Sequence, residues 1–294
     1  MRTNKDTWTI TSSVGRTALL VALGRALETR RPDALISDRF ADAFVRAAGD
    51  DTLTPEAIEQ LVSTDPSVAD SVTMLRDMMA ARTLRIDTTV ADATASGCAQ
   101  AVILASGLDA RAHRLPWAPG TPVFEVDQPA VLQFKDEVLE GLGAQTDAHR
   151  VTVACDLRDD WLGALRDAGL REDVPTVWLA EGLLPYLRAE DQESLLTTIG
   201  SVAPSGSVLV LDVPREPFEP DHADFDGAAF GVTMDELFFD IGEFATQDWL
   251  DAHGWATTSD SLVALLSDYG RPASEKSPWT RMQQSLDLVV AHRR

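Results

Sequence analysis

The sequence contains few cysteines, few basic residues and no long apolar run. Only Cys98 and Cys155 occur among 294 residues, which provides no disulfide framework, and we expect both to be reduced, small core residues. No stretch approaches the roughly 18 uninterrupted apolar residues that span a bilayer, and the start, MRTNKDTWTI, lacks the apolar core of a signal peptide. The sequence therefore predicts a cytoplasmic protein with no membrane partner.

The shortage of basic residues makes the chain strongly acidic. Its 25 Lys and Arg stand against 47 Asp and Glu, for a formal net charge of -22. The field of such a protein repels phosphate backbones, so we expect no nucleic-acid partner. A solvated acidic surface explains the charge as well as a cationic ligand would, and the charge therefore identifies no partner. No metal site is predicted.

Hydrophobic residues make up 45% of the chain, and their spacing changes near residue 97. Before it, apolar residues recur at helical spacing. After it, short apolar runs alternate with amphipathic segments, and the runs are apolar on both faces. This pattern predicts a doubly wound α/β fold with a parallel sheet covered on both sides. The helical segments are 13–30, 55–62 and 67–95, and the runs are 101–105, 122–126, 151–155, 176–180 and 207–213.

The sequence predicts one structural domain made of four segments. We predict a helical N-terminal cap over 1–96, an α/β core over 97–213, an insertion over 214–247 and C-terminal strands over 248–294 that complete the sheet. The insertion is too long for a simple connection between elements. It is therefore a candidate lid.

Ligands of such sheets lie beyond the carboxyl ends of the strands, so the residues after each run are the candidate binding residues. After the first run, Gly107 lies where the chain turns from strand to helix, and its backbone can approach a ligand closely. A dinucleotide site would need G-x-G-x-x-G around a pyrophosphate, and the other two glycines are missing. Asp127 ends the second run, where a carboxylate can accept hydrogen bonds from both ribose hydroxyls. Alternatively, Asp127 caps the helix that starts at Pro129.

The third and fourth runs are also followed by acidic residues. Asp156 can accept from the exocyclic amine of an adenine while Leu157 packs on the ring. Alternatively, Asp156 caps the next helix. Glu181 stands among apolar neighbours at the end of the fourth run, and it needs a charged partner because burying an unpaired charge is costly.

Taken together, these residues resemble the leucine carboxyl methyltransferase-like family of S-adenosylmethionine (SAM)-dependent methyltransferases, in particular its actinobacterial branch. The resemblance is nearly full length, and the order and spacing of its segments make coincidence improbable. The segments are DTWTITSSVGRTAL (6–19), ARTLRID (81–87), VILASGLDARAHRL (102–115), FEVDQPAVLQFK (124–135), DLRDDW (156–161), WLAEGLLPYL (178–187) and a final AHR.

The resemblance implies a Rossmann-like fold with a mostly parallel, seven-stranded sheet and SAM as the cofactor. It implies that Arg82 pairs with the SAM carboxylate, that Gly107 lines the methionine moiety and that Glu181 lies near the SAM ammonium. Asp127 is the implied ribose ligand. From spacing alone, Arg82 would be a surface residue of a helix. The full implied cofactor set is Arg82, Ser106, Gly107, Asp127, Gln128, Asp156, Leu157 and Glu181.

The resemblance further implies methyl transfer to an oxygen of a small-molecule acceptor, a carboxylate or a hydroxyl. A carboxylate needs no general base at pH 7, whereas an alcohol or phenol benefits from one, and none of the five histidines stands at a defensible position. His113 replaces an aromatic residue usual in the family, and we expect it to pack behind the glycine turn.

The N-terminal helices and the insertion are implied to close over the cofactor and to build the acceptor pocket. We expect the acceptor near Tyr186 and a set of aromatic residues whose alternative role is ordinary core: Phe218, Phe225, Phe230, Phe238 and Phe239. The competing functions are a non-catalytic SAM-binding or partner-binding protein and a nicotinamide-dependent oxidoreductase, which the lone Gly107 disfavours.

Overall fold

A computed structural model of the chain describes residues 14–65, 68–214, 244–271 and 286–294. The predicted insertion lies almost wholly outside the described residues, and so do the aromatic residues expected to surround the acceptor. Among the helices that are described, none is both long enough and apolar enough to cross a membrane.

In the described part of the chain four helices precede the sheet, and those predicted from the apolar spacing are all present. The third helix begins where its sequence requires, because Pro55 occupies its first turn and the Thr54 side chain accepts a hydrogen bond from the backbone of Ala57. The first and fourth helices pack closely at Gly24, where an added Cβ would lie 2.6 Å from Cγ of Met79. The helices are α1 (Val14–Thr29), α2 (Ala41–Ala47), α3 (Pro55–Thr64) and α4 (Ala69–Ala95).

The sheet has seven strands in the order β3-β2-β1-β4-β5-β7-β6. All strands are parallel except β7, which runs antiparallel to both β5 and β6. The prediction of a Rossmann-like α/β fold with a mostly parallel, seven-stranded sheet is confirmed. The strands are β1 (Gln100–Leu104), β2 (Pro122–Asp127), β3 (His149–Ala154), β4 (Thr176–Ala180), β5 (Val208–Pro214), β6 (Trp255–Ser261) and β7 (Leu286–Arg293).

Helices cover both faces of this sheet. Along the central strands, Ile103 and Leu179 face one apolar cluster while Val102 and Trp178 face the other. Every residue of β1 and β4 is buried, as expected for strands that are apolar on both faces. The remaining helices are α5 (Arg111–Arg114), α6 (Pro129–Gly141), α7 (Trp161–Asp167), α8 (Ala189–Val202), α9 (Thr246–Ala252) and α10 (Leu262–Asp268), with a 3₁₀ turn at Leu184–Tyr186.

The strand order reverses between β1 and β4, because the chain adds β2 and β3 on one side of β1 and then crosses to the other side. The connections that leave the carboxyl ends of β1 and β4 therefore diverge. In doubly wound sheets this divergence opens a crevice for a ligand.

Candidate active site

A cavity of about 750 Å³ lies beyond the carboxyl ends of β1 to β4, where the strand order reverses. Its walls are the turns after these strands together with parts of α1, α4 and α8. The volume falls in the range of roughly 300–1,000 Å³ that is usual for small-molecule sites. The residues of the implied cofactor set all line this cavity: Arg82, Ser106, Gly107, Asp127, Gln128, Asp156, Leu157 and Glu181.

The turn after β1 has an unusual backbone. Gly107 has a φ of 45° and Ala105 a φ of 49°, a left-handed conformation that costs a non-glycine residue roughly 1–2 kcal/mol. An added Cβ on Gly107 would lie 3.6 Å from the Cβ of Ala18, so α1 packs directly over the turn. The Ser106 hydroxyl is buried and has no hydrogen-bond partner among the described residues. The turn thus offers a free polar group at the cavity.

Asp127 links the ends of β1 and β2. Its Oδ2 accepts a hydrogen bond from the backbone N–H of Gly107 at 2.6 Å, and its Oδ1 accepts one from the N–H of Gln128 at 2.7 Å. Burial raises the pKa of Asp127, and these two hydrogen bonds only partly offset it. The N-cap of α6 is Gln128. The alternative role of Asp127 as the helix cap is therefore wrong.

Asp156 holds a dense set of hydrogen bonds at the end of β3. Its Oδ1 accepts from the backbone N–H and from Nε of Arg158, both at 2.9 Å. Its Oδ2 accepts from Nη2 of Arg158 at 2.6 Å and from Nε2 of Gln128 at 3.0 Å. The hydrogen bond from Arg158 lowers the pKa of Asp156. The cap of α7 is Asp160, so the alternative role of Asp156 as a helix cap is also wrong.

Glu181 has the charged partners that its apolar surroundings require. Its Oε1 lies 2.9 Å from Nε of Arg82 in an ion pair, and its Oε2 accepts a hydrogen bond from Nη1 of Arg111 at 2.6 Å. Burial raises the pKa of Glu181, but Arg111 and Arg82 outweigh it and lower the pKa to about 2. Glu181 is therefore ionised at neutral pH.

Arg82 is buried at 7% exposure, so the surface position suggested by spacing alone is wrong. Its second partner is Asp212 on β5, whose Oδ2 lies 3.5 Å from Nη1 of Arg82. The same oxygen accepts a hydrogen bond from the N–H of Gly182. Burial raises the pKa of Asp212. Sequence reasoning missed Asp212, although an acidic residue inside the apolar run SVLVLDV was a signal that could have identified it.

Arg111 extends the ion-pair cluster behind Glu181. Its Nε donates to Oδ1 of Asp87 on α4 at 2.8 Å, and its Nη1 donates to Asp109 in the loop before α5. Arg114 bonds to the same Asp87. Burial lowers the pKa of Arg111, but the surrounding carboxylates raise it well above its usual value. The cluster ties the N-terminal helices to the turns of the sheet, and sequence reasoning did not anticipate it.

A third buried arginine, Arg25, holds α1 against the glycine turn. Arg25 donates through Nε to Oδ2 of Asp38 at 2.8 Å and through Nη2 to the carbonyl oxygen of Leu108 at 2.7 Å. Both Arg25 and Asp38 are buried. Because Arg25 lies within an apolar helix, its burial could not be told from sequence spacing.

The two cysteines differ in burial. Cys98 is buried, but Cys155 is only partly buried and lines the cavity, because it follows the edge strand β3. The expectation that both are core residues is therefore wrong for Cys155.

His113 lies on α5, where its ring packs edge-on against Phe40 at 5.7 Å between centroids. Tyr186 lines the cavity, and its place near the acceptor stays a prediction.

Comparison with known proteins gives these residues a family context. Residues 18–200 match the profile of the family described as leucine carboxyl methyltransferase. The chain is 45% identical over 289 residues to a protein of Mycolicibacterium gilvum named "Putative S-adenosyl-L-methionine-dependent methyltransferase", with 92% of this chain and 93% of the relative covered. A protein of the same name from Mycobacteroides abscessus is 43% identical, with 95% and 93% covered.

Solved structures resemble the fold at low sequence identity. A DUF574 family protein from Streptomyces avermitilis superposes with a TM-score of 0.55 at 15% identity, over 86% of this chain and 96% of that one. A protein from Thermobifida fusca described as a "putative methyltransferase" gives a TM-score of 0.51 at 14% identity, with 94% of each chain covered. At these identities the likeness shows the fold alone.

Proposed function

This chain belongs to the leucine carboxyl methyltransferase family and is a SAM-dependent methyltransferase, and we propose that it methylates an oxygen of a small metabolite, preferring a carboxylate to a hydroxyl. Family membership argues against the alternative of a nicotinamide-dependent oxidoreductase. The identity of the acceptor oxygen rests on the chemistry of the cavity.

The observation that carries this proposal is the composition of the cavity wall. Among the described residues that line it, none is a histidine or a lysine, and the carboxylates of Asp127, Asp156 and Glu181 are already engaged in hydrogen bonds or ion pairs with protein groups. An alcohol or phenol acceptor benefits from a base that takes its proton. A carboxylate is already ionised at neutral pH and needs none. His222, one of the five histidines of the chain, lies outside the described residues.

We place the nucleoside end of SAM at the ends of β2 and β3. Each oxygen of Asp127 accepts one protein hydrogen bond, so each keeps a lone pair for a ribose hydroxyl. Asp156 and Leu157 lie one strand further along and suit the adenine. Gln128 donates to Asp156 and so joins the two carboxylates. These contacts support the ribose and adenine roles implied by the family resemblance.

We place the methionine end between the turns after β1 and β4. The Ser106 hydroxyl is buried without a partner in the described part of the chain, and Gly107 leaves room for close approach of a ligand. Glu181 is held ionised beside the cavity and can accept from an ammonium group. Arg82 is placed to meet a carboxylate, because its Nη2 has only a 3.5 Å contact to the sulfur of Met79. This pattern fits a zwitterionic amino-acid group.

SAM supplies an electrophilic methyl sulfonium when it is bound. The protein then needs to hold an acceptor oxygen in line with the methyl group and to exclude water, more than it needs to move protons. Arg25 bonds α1 to the turn after β1, and α1 packs over Gly107. These contacts hold α1 in place and support the exclusion of water on that side of the cavity.

Calorimetry with SAM tests the cofactor placement. Asp127→Ala and Asp156→Ala should each weaken SAM binding by roughly 1–3 kcal/mol, because each removes a hydrogen-bond acceptor for the ligand. Glu137→Gln on α6 is a matched control, since its partner Gln133 lies on the exposed face of the helix. Unchanged SAM affinity in both aspartate variants would contradict the placement.

Turnover tests the reaction. The purified protein is incubated with SAM and a panel of carboxylic acids, alcohols and phenols, and formation of S-adenosylhomocysteine is measured. We expect turnover with acids and little with the hydroxyl compounds. Turnover confined to phenols would refute the carboxylate preference, and SAM binding without turnover on any acceptor would favour a non-catalytic SAM-binding protein.

A further inference from the structure

Asp127 and Asp156 differ in how many of their lone pairs the protein uses. A carboxylate has about four lone-pair sites. Asp127 uses two of them for protein N–H groups. Asp156 accepts four hydrogen bonds, three from Arg158 and one from Gln128. An adenine amino group can therefore bond to Asp156 only after a protein donor has left.

We propose that Arg158 competes with the amino group of adenine for Asp156. Arg158 thereby lowers both the affinity of the site for a 6-aminopurine and its preference for a 6-aminopurine over a purine without the amino group. The proposal rests on the adenine placement given under the proposed function. It assigns Arg158 a role in cofactor selectivity.

Arg158 is the more exposed of the two residues that donate to Asp156. Its side chain is 39% exposed, so a displaced guanidinium returns to water. The backbone N–H of Arg158 also bonds to Oδ1 of Asp156, and this bond remains when the side chain moves. Gln128 is held at the start of α6, where its own N–H bonds to Asp127.

The contact that must break is the bond from Nη2 of Arg158 to Oδ2 of Asp156, at 2.6 Å. This oxygen also accepts from Gln128, which lines the cavity beside Asp127. Breaking the bond costs free energy that adenine must supply. A purine without a 6-amino group has no donor at that position for Asp156. It therefore leaves Arg158 in place, and its binding does not include this free-energy cost.

The experiment compares two ligands on the full-length protein. S-adenosylhomocysteine carries the 6-amino group, and its purine analogue carries hydrogen in that position. Binding of each is measured by calorimetry in wild type, Arg158→Ala and Arg158→Met. Both substitutions keep the backbone N–H, and the second also keeps much of the side-chain length, so it serves if the alanine variant folds poorly.

We expect both variants to bind S-adenosylhomocysteine more tightly by roughly two- to fivefold, the range for removing a partly exposed ion pair. Binding of the analogue should stay within about twofold, below the effect of losing one exposed ion pair, because the analogue does not displace Arg158 from Asp156. The preference for the 6-amino ligand therefore rises. A fall or no change in S-adenosylhomocysteine affinity, or an equal change for both ligands, would overturn the proposal.

Asp156→Ala separates this proposal from the proposed function. If the adenine placement is right, Asp156→Ala weakens S-adenosylhomocysteine binding, and adding Arg158→Ala to it brings no further gain. If Asp156→Ala leaves the affinity unchanged, the adenine placement itself fails. If Asp156→Ala weakens binding while Arg158→Ala changes nothing, only the competition by Arg158 is refuted.

Discussion

The Oδ2 atom of Asp127 accepts a hydrogen bond from the backbone N–H of Gly107 over 2.6 Å. One carboxylate therefore fixes the turn after β1 and also faces the space where we place a ribose. The two halves of the cofactor site, at the ends of β1 and β2, are not independent. A change at Asp127 should disturb both.

Asp127→Asn tests this coupling. The amide presents an N–H₂ group to one of the two backbone N–H groups that the carboxylate now accepts, so one hydrogen bond becomes a contact between two donors. We expect SAM binding to weaken by roughly 1–3 kcal/mol, measured by calorimetry. Because the turn is disturbed, binding of methionine alone should weaken as well, whereas weakening confined to nucleosides would argue against the coupling.

Arg111→Met should be strongly destabilising. It removes a buried guanidinium and leaves Asp87, Asp109 and Glu181 short of a partner, and breaking buried ion pairs in this way typically costs about 3–5 kcal/mol. The measurement is the free energy of unfolding by urea. Arg166→Met is the matched control, because its ion pair with Glu172 is solvent-exposed, and it should leave the unfolding midpoint nearly unchanged. Similar losses in both variants would contradict the structural role of the cluster.

Glu181 should make stability depend on pH in the acid range. Its pKa is about 2 in the folded protein against 4.5 for the free group, so the unfolded state binds the proton more readily. The stabilisation is fully present above about pH 4.5 and is lost as the pH falls toward 2. The difference in unfolding free energy between wild type and Glu181→Gln should shrink by on the order of 3 kcal/mol over this range.

The raised pKa of Asp212 acts in the opposite direction, and the charge of Glu181 contributes to it. The two proteins are compared at each pH by urea unfolding, and their difference reports the removal of Glu181 together with its effect on Asp212. A difference that stays constant from neutral to acid pH would show that Glu181 is not held ionised by Arg82 and Arg111.

Ala105→Gly should stabilise the protein. The left-handed backbone at Ala105, with a φ of 49°, costs alanine roughly 1–2 kcal/mol, while glycine loses about 0.5–1 kcal/mol more entropy on folding. The expected net gain of roughly 0–1.5 kcal/mol is measured by thermal unfolding. Ala203→Gly is the control, because Ala203 has an ordinary φ of -92° and should lose stability. Destabilisation at both positions would refute the strain at Ala105.

The sequence was sufficient to predict the strands and the carboxyl-end residues, because both follow from local pattern. Apolar runs on both faces require a covered parallel sheet, and such a sheet brings the residues after its strands to one edge. Gly107, Asp127, Asp156 and Glu181 were found in this way, and the cavity contains all four. Their contacts with SAM stay predictions, as does the cytoplasmic location.

The sequence did not predict which charged residues of distant elements form ion pairs with one another. Asp212 lies 130 residues after Arg82, and nothing local to either residue indicates that they meet. Spacing on a helix also could not separate Arg82 from Arg85, although the structure buries the first and leaves the second partly exposed. Only the family resemblance distinguished them.

The position of β7 has a consequence for how the protein is made. This strand comes after β6 in the chain but lies between β5 and β6 in the sheet. A ribosome adds roughly 5–20 residues per second, and on the growing chain β6 lacks β7, its partner among the described strands, until residues 286–293 have emerged. The nascent protein can thus assemble β1 to β5, together with all the predicted cofactor-binding residues, before its last two strands pair with each other.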